Sequence, residues 1–222
     1  MTQVYAFANQ KGGVGKTTTV VNLAACMADW GHRVLVGDID PQSNATASLG
    51  LAARSLPASI YDVLIGDQPA LDVIRGTGWD GLDLLPAAPV LAGATVELNQ
   101  VQDPVERAMR LARVLSLEAG VVAQAAYDYI LIDAPPSLGI LTVNALAAAQ
   151  GVIIPVQCEY LALEGLSQLM RTISLVQRGL NPGLVLRGLV MTMYDVRTTL
   201  AHQVVEQVAQ HFPDQVFEAV IP

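Results

Sequence analysis

Lysine is almost missing from this chain. Of twelve basic residues among 222, ten are arginine, and the only lysines are Lys11 and Lys16. A compact ammonium differs chemically from a planar guanidinium, so two lysines five positions apart single out one segment. Positive charge as a whole is scarce. The formal net charge of −8 excludes a generally basic nucleic-acid binder and leaves room only for a local patch. Cysteine is rare too: Cys26 and Cys158 lie far apart without metal-ligand spacing. That excludes a disulfide framework and a zinc site, and predicts two buried free thiols in a reducing compartment. No apolar run reaches the roughly 18 residues of a membrane span. The first residues show no charged segment followed by an apolar one, so no signal peptide is expected and a cytoplasmic location is. Charged residues make up 14% against 52% hydrophobic, which argues against disorder and provides for a sizeable core.

Both lysines fall in Asn9-Gln10-Lys11-Gly12-Gly13-Val14-Gly15-Lys16-Thr17-Thr18. This stretch holds G-x-x-G-K-T, the second half of a phosphate-binding loop. In such a loop successive backbone N–H groups cradle phosphate oxygens at a helix N-terminus. Lys16 is expected to reach the β- and γ-phosphates, and the Thr17 hydroxyl to ligate Mg²⁺. The full pattern has glycine where Gln10 stands, followed here by the extra Lys11. The context fits: Val4 to Ala8 reads as a buried strand, and Thr17 to Trp30 as a helix stopped by Gly31.

Further along, Arg33–Asp40, Leu82–Pro86, Tyr129–Asp133, Val152–Val156, Leu184–Thr192 and Val216–Val220 read as strands. Helices are expected between them, among them Val90–Leu98, a long one from Asp103-Pro104 to about Ala126, Leu138–Ala149, Tyr160–Arg178 and Thr198–His211. Arg107, Arg110 and Arg113 would share one solvated face of the long helix. Leu71–Arg75 reads as a helical turn and Gly76-Thr77-Gly78 as a loop. Two-sided apolar strands alternating with helices predict an α/β fold: one mostly parallel twisted β-sheet flanked by helices on both faces. In such sheets ligands bind beyond the carboxyl ends of the strands. Gln10–Thr17, Asp38–Asn44, Asp133–Ser137 and Gln157–Glu164 all follow strand ends and are expected to converge.

The carboxylates at those ends suit metal-assisted phosphate chemistry. Asp133 closes an apolar strand, where a carboxylate orients Mg²⁺ or its water. Asp38 and Asp40 follow the second strand. Asp40 is the candidate for positioning the attacking water, and Asp38 for the surroundings of the metal.

Three stretches carry a family resemblance: Lys11-Gly12-Gly13-Val14-Gly15-Lys16-Thr17-Thr18, Asp38-Ile39-Asp40-Pro41-Gln42-Ser43-Asn44-Ala45-Thr46, and Leu131-Ile132-Asp133-Ala134-Pro135-Pro136-Ser137-Leu138. They resemble the deviant Walker A P-loop NTPases, and within them the ParA/Soj branch of chromosome and plasmid partition ATPases. Leu141–Leu146, Pro155–Gly165 and Thr192–Thr198 resemble that branch as well. The resemblance implies an ATPase using ATP/ADP and Mg²⁺, with Lys11 to Thr18 holding nucleotide, Thr17, Asp38 and Asp133 at the metal, and Lys11, Lys16 and Asp40 in catalysis. It implies an ATP-dependent homodimer sandwiching two nucleotides, in which Lys11 reaches the partner's nucleotide and the bare backbone of Gly12 permits close approach. The dimer would bind double-stranded DNA without sequence preference, and a ParB-like partner would stimulate hydrolysis and release. Arg197 matches a family position that contributes to DNA binding. Arg187 is expected to share a face with it that becomes continuous only in the dimer. The location implied is cytoplasmic and nucleoid-associated, with no membrane. Relatives continue beyond the position of Ile221-Pro222, so residues 1–222 would be one ATPase domain lacking its C-terminal segment. The alternative is a MinD-like membrane-associated cell-division regulator, which shares the loop but carries a C-terminal amphipathic helix.

Overall fold

The computed structural model describes residues 2–116, 127–159 and 162–222. Gln3–Phe7 forms β1, Lys16–Asp29 α1, Val34–Asp38 β2 and Asn44–Ser48 α2. Ile60–Leu64 (α3), Ala70–Val73 (α4), Arg75–Gly76 (β3) and Leu82–Leu85 (β4) follow, then Leu91–Gln100 (α5), Pro104–Ala108 (α6) and Arg110–Val114 (α7). The second half runs Tyr129–Asp133 (β5), Ile140–Ala148 (α8), Gly151–Gln157 (β6), Ala162–Gly179 (α9), Val185–Thr192 (β7), Thr199–His211 (α10) and Val216–Val220 (β8).

The strands form one sheet in the order β3-β4-β2-β5-β1-β6-β7-β8. All neighbours pair in parallel except β3 with β4. The period-two rule sorts the core. Val4 and Ala6 of β1, Leu35 of β2, and Ile130 and Ile132 of β5 face α3–α5 and α7–α10. Phe7, Val34, Val36 and Leu131 face α1 and α2. Strands apolar on both sides thus find a helix layer on each. On the α1 side, cover thins beyond β1. There an apolar cleft of about 520 Å³ opens between α1 and β8, lined by Leu23, Trp30, Ile153, Val190 and Phe217 among others.

The structure corrects several local expectations. The helix starting at Asp103 does so as expected, with the Asp103 carboxylate accepting the Val105 N–H at 2.8 Å. It then breaks at Met109 into α6 and α7. The buried Asn144 of α8 causes the break: its amide donates to the Arg107 carbonyl (2.9 Å) and its carbonyl accepts from the Leu111 N–H (3.1 Å). Arg110 does not lie on a solvated face. It donates to Glu106 at 3.0 Å and to Asp67 and the Leu64 carbonyl at 3.2 Å. The helical turn expected over Leu71–Arg75 is present as α4, and the short β3 replaces its last residue and the start of the loop expected at Gly76. Both cysteines are free, yet Cys26 is exposed, on the rim of the open cleft between α1 and β8, and Cys158 is half-buried. The expected continuation to Ala126 and the expected helix start at Tyr160 lie outside the described residues.

Candidate nucleotide site

The strand order sets the site. β1 lies between β5 and β6, and the crossover helices leave to opposite faces: α1 packs on one and α8 on the other. The carboxyl ends of β1, β2, β5, β6 and β7 therefore open on the same side, at a switch point of the kind that receives ligands.

Residues 8–15 leave β1 and turn into α1. Asn9 anchors the turn: its amide donates to the Pro155 carbonyl on β6 (2.8 Å), and its carbonyl accepts the Lys11 N–H (3.0 Å). Gly13 and Gly15 have φ of 76° and 81°, a left-handed conformation that glycine adopts without cost. Gly15 caps α1 with no side-chain acceptor, and no acidic residue occupies the first turn. The helix N-terminus therefore presents its N–H groups and positive dipole end to an anion.

The two lysines are placed differently. Lys16 is 6% exposed and donates to the Lys11 carbonyl at 3.0 Å, folded back over the loop. Burial pulls its pKa below the ordinary lysine value, against the charges of Asp133 and Asp40. Lys11 stays half exposed and forms an ion pair with Glu159, just past β6. It lines an open cleft of about 610 Å³ with Gln10, Pro136, Ser137 and Gln168.

Thr17 donates its hydroxyl to Asp133 Oδ2 at 2.6 Å. The other oxygen, Asp133 Oδ1, is buried with no partner among the described residues. Burial raises the Asp133 pKa to about 7; the Thr17 bond opposes this and the Asp38 and Asp40 charges add to it. A hydroxyl beside a carboxylate with a spare oxygen suits Mg²⁺, which takes few protein ligands and keeps several waters. A divalent charge there would also hold Asp133 ionised.

Asp38 is next to Asp133 across the β2–β5 pairing, but its oxygens are engaged elsewhere. They accept the Thr46 hydroxyl (2.7 Å) and the N–H groups of Thr46 (2.8 Å) and Asp40 (3.1 Å). Burial raises its pKa to about 6. Asp38 in this arrangement braces the turn that presents Asp40. Asp40 is buried near Lys16 and Asp133 and accepts the Gln42 N–H at 2.9 Å.

The structure does not bring the two arginines together. Arg187 lies near the start of β7, stacked on Tyr5 and donating to its hydroxyl at 3.0 Å. Arg197 lies in the loop after the other end of that strand, and Arg187 alone is about 15 Å short of that end along the strand. The shared face expected of them is corrected accordingly. Arg197 is 85% exposed and held in a two-pronged ion pair with Asp195, at 2.9 and 2.7 Å. That pair pulls the Asp195 pKa below the ordinary carboxylate range.

Several contributors escaped the sequence reading. Asn9, Thr46 and Thr192 are polar residues whose roles depend on contacts far along the chain. Glu159 belongs to a stretch expected at the site, but nothing pointed to its pairing with Lys11.

A family profile described as an AAA domain matches residues 2–186. The sporulation initiation inhibitor protein Soj of Bacillus subtilis is 51% identical over 222 residues, which is all of this chain and 85% of Soj. The chromosome partitioning protein ParA of Caulobacter vibrioides is 50% identical over 220 residues, 99% of this chain and 80% of ParA. This chain belongs to the ParA/Soj family of partitioning ATPases. A crystal structure titled cobyrinic acid a,c-diamide synthase from Mycobacterium smegmatis, with bound ADP and magnesium, superposes with a TM-score of 0.91. It is 44% identical and covers all of this chain and 87% of that one. A plasmid partition protein of Borrelia burgdorferi bound to AMPPNP has a TM-score of 0.77 at 24% identity, a likeness of fold alone. The synthase name stands apart from the ParA and Soj names of the sequence relatives. The sequence relatives share more of this chain's residues than the synthase does, 51% and 50% against 44%.

Proposed function

We propose that this ParA/Soj member is an ATP-operated switch in chromosome or plasmid partitioning, in which nucleotide state and association of two copies are one variable. It hydrolyses ATP to ADP and phosphate. Residues 11–18 hold the phosphates, with Lys16 on the β- and γ-phosphates and Thr17 with Asp133 holding Mg²⁺. The metal offsets phosphate charge, and Asp40 orients the attacking water. ATP joins two copies face to face. The dimer binds double-stranded DNA non-specifically, and a ParB-type partner triggers hydrolysis and release. The protein would act in the cytoplasm, on the nucleoid.

One observation carries this reading. Lys16 is buried over its own loop, whereas Lys11 is turned out toward an open cleft and paired with Glu159. A second cation turned away from its own loop supports a role toward a phosphate brought by another subunit, where it would act as an arginine finger does. Gly12 supports the same reading. A Cβ added there would lie 3.9 Å from Pro136 Cβ, an ordinary contact, so nothing among the described residues of one subunit requires glycine.

Light scattering with ATP and Mg²⁺ tests it. The parent should dimerise, and Asp40→Ala should stay dimeric because hydrolysis stalls. Lys11→Ala and Gly12→Val should bind ATP as monomers. An ATP-dependent dimer of Lys11→Ala as tight as the parent's would overturn the reading.

A further inference from the structure

The phosphate loop has a peptide that local structure leaves free. Val14 stands between Gly13 and Gly15, both left-handed. Glycine crosses between φ regions cheaply, so on the Gly15 side little opposes turning over the Val14–Gly15 peptide. A planar trans peptide points its C=O and N–H in opposite directions. Whatever fixes the Val14 carbonyl therefore aims the Gly15 N–H. Turned one way, the Gly15 N–H joins the cradle. Turned the other, a carbonyl oxygen faces the phosphates and repels them.

Thr192 supplies the restraint. It ends β7, is 2% exposed, and donates its hydroxyl to the Val14 carbonyl at 2.9 Å, across 178 positions of sequence. Its methyl packs 3.7 Å from where a Cβ of Gly15 would lie. The strand beneath is fixed, since Thr192 pairs with Gln157 in the β6–β7 ladder and its carbonyl accepts the Cys158 N–H at 3.1 Å. The donor thus stands on a rigid element and the acceptor on a pliable one.

We infer that Thr192 is a positioning residue of the nucleotide site: its hydroxyl holds the Val14–Gly15 peptide with the N–H turned into the phosphate cradle. The inference rests on the reading of residues 11–18 as that cradle. The peptide meets the phosphates that ATP and ADP share, so loss of the restraint weakens both alike. It acts on binding, leaving the hydrolytic step at saturating ATP unchanged.

The test compares Thr192→Val, nearly the same shape without a donor, with Thr192→Ser, which keeps the donor and drops the methyl. Equilibrium binding of ATP and ADP, KM and kcat, and nucleotide-free thermal stability are measured in the full chain. Thr192→Val is expected to weaken ATP and ADP about tenfold and raise KM similarly, with kcat within about twofold. Thr192→Ser should bind within about twofold of the parent, which a packing role of the methyl would not allow. Parent-like affinity in Thr192→Val, or an equal loss in Thr192→Ser, overturns the inference. If Thr192→Val does not fold, Thr192→Ser and the parent still decide whether the methyl matters. Lys16→Ala separates the two levels. If it binds ATP as the parent does, the cradle reading fails and takes this inference with it. If it loses ATP while Thr192→Val does not, only Thr192 falls.

Discussion

A lysine paired within its own subunit cannot serve a neighbour's phosphate until that pair opens. Lys11 is held by Glu159, and both side chains are part-exposed, 42% and 31%. Such a pair contributes at most about 1 kcal/mol. It biases dimerisation without blocking it. Glu159→Gln should therefore lower the ATP concentration at half-maximal dimerisation by about two- to fivefold, read by analytical ultracentrifugation. Unchanged or weaker association would remove Glu159 from that role. Residue-scale chemistry was legible where it is local in sequence. Lys11, Lys16 and Thr17 declare themselves by spacing, and Asp133 by ending an apolar strand. The Lys11–Glu159 pair was not, because it depends on β6 lying beside β1. Thr192 lay in a stretch that carried the family resemblance, but its contact with Val14 was hidden for a like reason: it depends on which segment lies beside that strand end.

Among the elements, strands were easier to read than helix ends. Apolar runs such as Tyr129–Asp133 must be buried on both sides, and their burial fixes their identity regardless of neighbours. The helix after Asp103 could not be bounded that way. Its interruption is imposed from α8, where Asn144 satisfies the Arg107 carbonyl and the Leu111 N–H in place of helix continuation. Removing that amide leaves both groups buried and unpaired. Asn144→Ala is expected to lower stability by about 2–3 kcal/mol, seen as a lower denaturation midpoint with an unchanged slope. A change under about 0.5 kcal/mol would show that α6 and α7 rejoin without it.

On the scale of the whole molecule, a net charge of −8 has to coexist with the proposed contact to a polyanion. Arg197 sits at the strand end nearer the phosphate loop and Arg187 near the far end. The patch is therefore narrow, and Asp195 neutralises part of it. ATP-dependent DNA binding should fall with salt, with a log–log slope reflecting few phosphate contacts. Arg197→Ala should flatten that slope by about two in a dimer, one per subunit, and Arg187→Ala should leave it as it is. The reverse ranking in a salt titration would move the contact to the other end of β7. The order of the sheet has a consequence in time as well as in space. β1 precedes both of its sheet neighbours, β5 and β6, in the chain, and β6 is complete about 150 residues later. At about 5–20 residues per second, the segment that leads into the phosphate loop waits roughly 8–30 s for both neighbours. Until β5 is made, Phe7 and its companions have no neighbouring strand to pair with. The nucleotide site thus forms well after residues 8–18 have been made.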